Sequence, residues 1–177
     1  MKQAKVINFF GAPGAGKSTE AARLYVALKD RGVNVELVRE VAKDYAWGTG
    51  FEIPNRVPYY LFSQQAKLQE VLRHKVDVIV TDSPLLLAPL YYDGVVVPID
   101  EYEFTCKYVF ESFDNINFFI PRGKPYNPAG RTQTSEESFD VEKKLLDLLE
   151  RWNIKFHNIS STNTPTGTQI AQILNSN

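Results

Sequence analysis

Val6-Ile7-Asn8-Phe9-Phe10-Gly11-Ala12-Pro13-Gly14-Ala15-Gly16-Lys17-Ser18-Thr19 contains the pattern G-x-x-x-x-G-K-[ST], preceded by a strand-sized, mostly apolar run and followed by helical spacing from Thr19 to Arg31. Strand, glycine-rich loop and helix in that order make a phosphate-binding loop. Gly11, Gly14 and Gly16 permit backbone conformations and close approaches that side chains would block, so successive N–H groups can converge on phosphate oxygens. Ala12, Pro13 and Ala15 complete the cradle, and the new helix adds its positive end. Lys17 can bridge β- and γ-phosphates, Ser18 can offer its hydroxyl to Mg²⁺, and Thr19 can reach another phosphate oxygen. An ordinary glycine-rich turn would leave the Lys-Ser pair unexplained.

Composition frames this loop. The chain has 177 residues, 44% hydrophobic and 23% charged, which suits a single globular domain over residues 1–177. Twenty basic residues nearly balance 21 acidic ones, so no global charge draws the protein to nucleic acid or anionic membrane. No apolar run is long enough to span a bilayer and no signal peptide is visible, so no membrane association is expected. Cys106 is the single cysteine, which rules out an internal disulfide and points to a cytoplasmic setting. Tyr102, Cys106, Val109, Phe110 and Phe113 share a helical face, which places Cys106 in a core.

Beyond the first helix, Asn34–Glu40 reads as a second strand, Val41–Trp47 as a short helix, and Gly48-Thr49-Gly50 as a flexible connection. A long helix is predicted over Val57–His74, with Val57, Tyr60, Leu61, Leu68, Val71 and Leu72 as its apolar stripe. Asp77–Asp82 is a third strand ending on an aspartate, and Ser83-Pro84 starts a helix or turn. Pro98–Phe113 is a helix, Ile116–Ile120 a fourth strand, and Pro121–Gln133 a Pro-, Gly- and Arg-rich segment. Thr134-x-x-Glu137 is a capping box for a helix burying Leu145, Leu146, Leu149 and Trp152. Ile154–Ile159 is a fifth strand, and Pro165–Leu174 a closing helix.

Alternating strands and helices imply an α/β three-layer sandwich: a mostly parallel five-stranded sheet, helices on both faces, and ligands beyond the strands' C-terminal ends. Gly11, Glu40, Asp82 and Arg122 all fall at such ends. Four positions far apart in sequence would thus border one crevice.

These residues resemble the P-loop NTPase fold as used by kinases of small molecules. The segment Arg39-Glu40-Val41-Ala42-Lys43-Asp44-Tyr45, the aspartate after the third strand and the pair Gly130-Arg131 are similar to the nicotinamide riboside kinase type. Glu40-Val41-Ala42-Lys43 and Asp82-Ser83-Pro84 look like the deoxynucleoside kinase type, although Ser83 and Pro84 stand where that type leads one to expect an arginine. Asn127-Pro128-Ala129 replaces the acidic residues that the riboside kinase type has before its Gly-Arg pair. Small stand-alone, AAA-type ATPase-like proteins of this general pattern are common in bacteriophage genomes. The resemblance implies ATP and Mg²⁺ as cofactors, a nucleoside-like or nucleotide-like small acceptor, and an Arg-containing lid over about residues 121–134.

Phosphoryl transfer needs an aligned acceptor, charge neutralisation around the γ-phosphate and a proton acceptor. Glu40 is the candidate base, its alternative being a solvated glutamate paired with Arg39 or Lys43. Asp82 is the candidate Mg²⁺ ligand beside Ser18, its alternatives being a helix cap or the base itself with Glu40 as substrate clamp. Arg122 and Arg131 are candidate catalytic cations of the lid beside Lys17, Lys124 a further lid cation, against a merely soluble loop. Tyr59, Phe62, Gln64 and Gln65 could stack on and read an acceptor base, or be core. Thr162-Asn163-Thr164-Pro165 could approach the adenine, or be a surface turn. No D-x-x-G or N-K-x-D segment of a signalling GTPase is present, and about 177 residues leave little room for the extra domain of a motor ATPase. A nucleic-acid kinase would share the loop and differ only in its acceptor groove, and a regulatory ATPase would lack an acceptor.

Overall fold

The structure is a computed structural model, and it describes residues 2–49, 57–122 and 134–159. Five strands, β1 (Lys5–Phe10), β2 (Val35–Val38), β3 (Val78–Thr81), β4 (Asp114–Phe119) and β5 (His157–Asn158), form one sheet in the order β2-β3-β1-β4-β5. Every described pair is parallel, so each crossover must carry the chain back over a face of the sheet. The helices are α1 (Lys17–Lys29), α2 (Val41–Thr49), α3 (Val57–Glu70), α4 (Ile99–Glu111) and α5 (Ser135–Arg151), with a 3-10 helix at Leu85–Tyr91.

Alternation along the inner strands sorts the core into two layers. Ile7, Phe9, Val78, Val80, Ile116 and Phe118 pack with Ala21, Leu24 and Leu28 of α1. Val6, Phe10, Ile79 and Phe119 point the other way, into a layer with Phe62, Leu85, Leu86, Tyr102, Cys106, Phe110, Leu145 and Leu149. Burial on both sides explains why β1 and β3 read as nearly continuous apolar runs. Asn8 interrupts β1 yet is 1% exposed. Its amide donates to Asn115 Oδ1 at 2.8 Å and Asn117 Oδ1 at 3.0 Å, tying β1 to β4 below the crevice.

The α/β three-layer architecture holds, and Cys106 is core. Several boundaries and faces differ from the sequence expectation. The short helix α2 runs on through Gly48 to Thr49, and α3 ends at Glu70 in turns rather than reaching His74. The buried face of α3 is Leu61, Phe62, Gln65 and Gln69, whereas Tyr60, Leu68 and Val71 are exposed. Gln65 takes a stripe position because it meets the end of β2, where it serves backbone groups, and Gln69 is buried with its Nε2 lacking a hydrogen-bond partner among the described residues. On α5, Leu148 joins Leu145 and Leu149 inside while Leu146 is exposed. The capping box forms as predicted, Thr134 Oγ1 accepting from Glu137 N–H and the Glu137 carboxylate from Thr134 N–H. The expected closing helix at 165–174 lies outside the described residues. No described helix is long and apolar enough to cross a membrane.

Candidate functional site

Between the end of β1 and the start of α1 the backbone turns through Gly11–Gly16. A Cβ on Gly11 would lie 2.7 Å from the Ile120 carbonyl oxygen, so only glycine lets β4's end approach the loop this closely. Gly16 caps α1 at φ 104°, a left-handed conformation that an L side chain resists. Ala15 N–H bonds to Ala12 O at 3.1 Å and closes the turn. The Lys17 ammonium donates to the carbonyls of Gly11 at 2.8 Å and Ala12 at 3.1 Å, folded over its own loop. Ser18 and Thr19 stand exposed on the first turn of α1, where backbone N–H groups lack intrahelical acceptors. From the opposite side, fully buried Ser138 of α5 donates to Pro13 O at 2.7 Å.

Neighbouring strands bring two carboxylates to this loop. Val38 of β2 is in register with Thr81 of β3, and Thr81 with Asn8 of β1, so Glu40, Asp82 and Gly11 leave the same edge of the sheet side by side. Asp82 is 8% exposed and its Oδ1 is buried with no hydrogen-bond partner among the described residues. It is not a cap: Pro84 occupies the N-cap of the 3-10 helix without a side-chain bond, and Ser83 N–H bonds to Thr81 Oγ1 instead. Burial raises the pKa of Glu40 above the ordinary carboxylate value; Lys17 opposes the rise, Asp82 adds to it, and Lys43 and Asp44 contribute less with opposite signs. Arg39 pairs with Asp44 at 3.4 Å, while Lys43, the other partner of the alternative reading, acts on Glu40 electrostatically.

Gln65 is 6% exposed, and its amide is engaged by the backbone on either side of Glu40. Phe62 is buried and edge-on to Tyr102, and Tyr59 lies against Tyr102 at 5.5 Å. Of that set Phe62 is therefore core and Gln65 supports the strand end, whereas Tyr59 is exposed and Gln64 half-buried. Arg122 sits beyond β4 with its N–H donating to Glu142 of α5 at 3.2 Å. Arg131, Lys124, most of the expected lid and Thr162–Pro165 lie outside the described residues. Tyr91, absent from the sequence reading, is 44% exposed over the whole residue, while burial around its hydroxyl, with the Glu40 carboxylate adding, pushes the phenol pKa up. Only the tertiary path of the 3-10 helix brings it to Glu40; within the run Leu85–Tyr92 it has no distinguishing spacing. Among the described residues no cluster of three or more His, Cys, Asp and Glu is placed to hold a metal.

A phosphate loop at the centre of a parallel sheet, flanked by acidic strand ends, is the arrangement of a P-loop NTPase. A family model described as an AAA domain matches residues 6–166. The chain belongs to this family. Among solved structures, it superposes on NadR protein in complex with NAD and AMP-PNP with a TM-score of 0.71 and 13% identity, over 98% of this chain and 49% of that one. NadR protein in complex with NR gives a TM-score of 0.70 and 17% identity, over 88% of this chain and 45% of that one. This member of the AAA domain family thus spans about half the length of those NadR chains and shares their fold. No curated protein sequence matches it.

Proposed function

We propose that this protein is an ATP- and Mg²⁺-dependent phosphotransferase that moves the γ-phosphate of ATP to a hydroxyl or phosphate of a nucleoside-like or nucleotide-like small molecule. One observation carries the reading: two acidic residues, Glu40 with a raised pKa and Asp82 with a buried unpartnered oxygen, stand at adjacent strand ends beside the lysine of the phosphate loop. The similarity in fold to NadR structures holding AMP-PNP and NR supports a nucleotide donor and a nucleoside-like acceptor.

In this reading the loop N–H groups and Lys17 bind the donor's phosphates, and Lys17 leaves the carbonyls of Gly11 and Ala12 as it does so. Glu40, its carboxylate raised in basicity by burial, takes the acceptor hydroxyl's proton as the new P–O bond forms and the bond from the γ-phosphorus to the bridging oxygen breaks, that oxygen leaving with ADP. The orphaned Asp82 oxygen and the Ser18 hydroxyl suit a hard cation, and Mg²⁺ held there would neutralise charge on the β- and γ-phosphates. Arg122 and Arg131 are the proposed cations for charge on the transferring group. Catalysis would take place in the cytoplasm on a free small molecule.

The test is ADP release from ATP and Mg²⁺ across nicotinamide riboside, nucleosides, deoxynucleosides, their monophosphates, and single- and double-stranded DNA and RNA. Stimulation by a small acceptor is the expected result. Stimulation by nucleic acid alone, falling steeply with salt, would replace the reading with a polynucleotide kinase, and ADP release that no acceptor stimulates would replace it with a regulatory ATPase.

A further inference from the structure

Gln65 projects from the middle of α3 into the corner where β2 gives way to α2. Its Oε1 accepts from the Val41 N–H at 3.0 Å, and its Nε2 donates to the Arg39 carbonyl at 3.2 Å. The two backbone groups belong to the residues immediately before and after Glu40. One primary amide, buried to 6% exposure, thus brackets the Glu40 Cα as the backbone of a neighbouring strand would. Only the orientation with Oε1 toward N–H and Nε2 toward C=O satisfies both bonds, so the amide's sense is determined by the network. Val41 opens α2, and its N–H is one of the helix-start donors that no intrahelical carbonyl reaches.

We propose that Gln65 is a positioning residue for Glu40, clamping the Arg39 carbonyl and the Val41 N–H so that the intervening carboxylate is held toward Lys17 and Asp82. The proposal rests on the reading of Glu40 as general base. The groups with electrostatic influence on Glu40 come from several elements, Lys17 from α1, Asp82 from the end of β3, and Lys43 and Asp44 from α2, and Glu40 in turn acts on Tyr91 of the 3-10 helix. Gln65, from α3, holds the backbone on both sides of residue 40. A rotation of that backbone would swing the carboxylate away from the transferring phosphate while leaving the phosphate loop, on another strand, in place. The separation yields a kinetic prediction: losing Gln65 should reduce turnover and spare nucleotide binding.

The experiment uses the full chain with Gln65→Met, similar in length and without either hydrogen bond, and Gln65→Glu, which keeps the acceptor for Val41 N–H. Three quantities are measured: amide hydrogen exchange at Val41, AMP-PNP affinity, and kcat with the best acceptor of the panel above. In Gln65→Met, Val41 exchange accelerates, kcat falls by about 10- to 100-fold, and AMP-PNP affinity stays within about twofold. Gln65→Glu recovers part of both the Val41 protection and kcat. In a Glu40→Gln background, Gln65→Met lowers kcat by less than about twofold further, because the group it positions is already gone. Unchanged Val41 exchange in Gln65→Met would overturn the bracket. Faster Val41 exchange with undiminished kcat, or an equal loss of kcat with and without Glu40, would overturn the positioning role. Full turnover in Glu40→Gln alone would overturn the general-base reading and the positioning role with it, while Val41 exchange would still show whether the bracket exists.

Discussion

Ser138 of α5 donates its hydroxyl hydrogen to the carbonyl of Pro13 at 2.7 Å, joining positions 125 residues apart. The serine is fully buried, so the bond is shielded from competing water. Together with the close approach of Gly11 to Ile120, it presses the phosphate loop between β4 and α5. Ser138→Ala should cost about 1 kcal/mol of stability and raise the KM for ATP several-fold, with kcat changed less. Thermal unfolding and initial-rate kinetics measure both. A fall in kcat alone would place Ser138 in the chemistry and not in the loop's support.

Gly11→Ala makes a sharper structural claim. Its new methyl group would meet the Ile120 carbonyl oxygen at 2.7 Å, a backbone atom that cannot rotate away. We expect a loss of about 1–3 kcal/mol in denaturant unfolding, together with weakened nucleotide binding. Gly48→Ala, in α2 with open space around it, is the control and should be neutral or stabilising.

For Glu40→Gln, kcat should fall by about a hundredfold or more while AMP-PNP affinity is nearly kept. Stability should move the other way. Burial raises the folded pKa of Glu40 above 4.5, so its favourable contribution is complete below the unfolded value and is lost as pH rises through the folded one. Above that window the charged carboxylate strains the nucleotide-free fold. Gln removes the charge, so the melting temperature of Glu40→Gln relative to wild type should be higher at neutral pH than near pH 4. Melting curves at both pH values check the sign, and a uniform offset would contradict the burial argument.

The phosphate loop was legible because its chemistry is local: glycines, lysine and hydroxyls lie within Gly11–Thr19, and strand and helix flank them directly. Glu40 and Asp82 were legible as strand ends, since a parallel sheet delivers its C-terminal ends to one edge. What surrounds them was not. In sequence Gln65 reads either as a reader of an acceptor base or as core, because α3 carries aromatics and glutamines together; its partners, the backbone of Arg39 and Val41, are visible only when α3 is placed against β2. Tyr91 and Ser138 were missed for the same reason, their partners being set by tertiary packing and not by spacing. The stripe on α3 holds at Leu61 but differs elsewhere because two buried glutamines, Gln65 with hydrogen bonds to backbone and Gln69, occupy positions that hydropathy assigns to the surface.

Asp82→Asn addresses the cation. An amide keeps the shape and loses the charge, so the Mg²⁺ concentration for half-maximal rate should rise about tenfold or more. The nucleotide-free variant should be no less stable than wild type, because the replaced oxygen is buried without a partner among the described residues. Mg²⁺ titrations of initial rate together with thermal unfolding decide it. An unchanged Mg²⁺ requirement would remove Asp82 from the metal site.

Transfer itself is tested most directly by following the γ-phosphate of isotopically labelled ATP. The protein, Mg²⁺ and each small acceptor of the panel are incubated together, and the acceptor is recovered and analysed by mass spectrometry. Label should appear covalently on a nucleoside-like or nucleotide-like acceptor in proportion to ADP formed, and Lys17→Ala should lower that yield at least about a hundredfold, since a charge-assisted contact to the transferring phosphate is lost. Label found only in inorganic phosphate, with every acceptor unmodified, would contradict the phosphotransferase account.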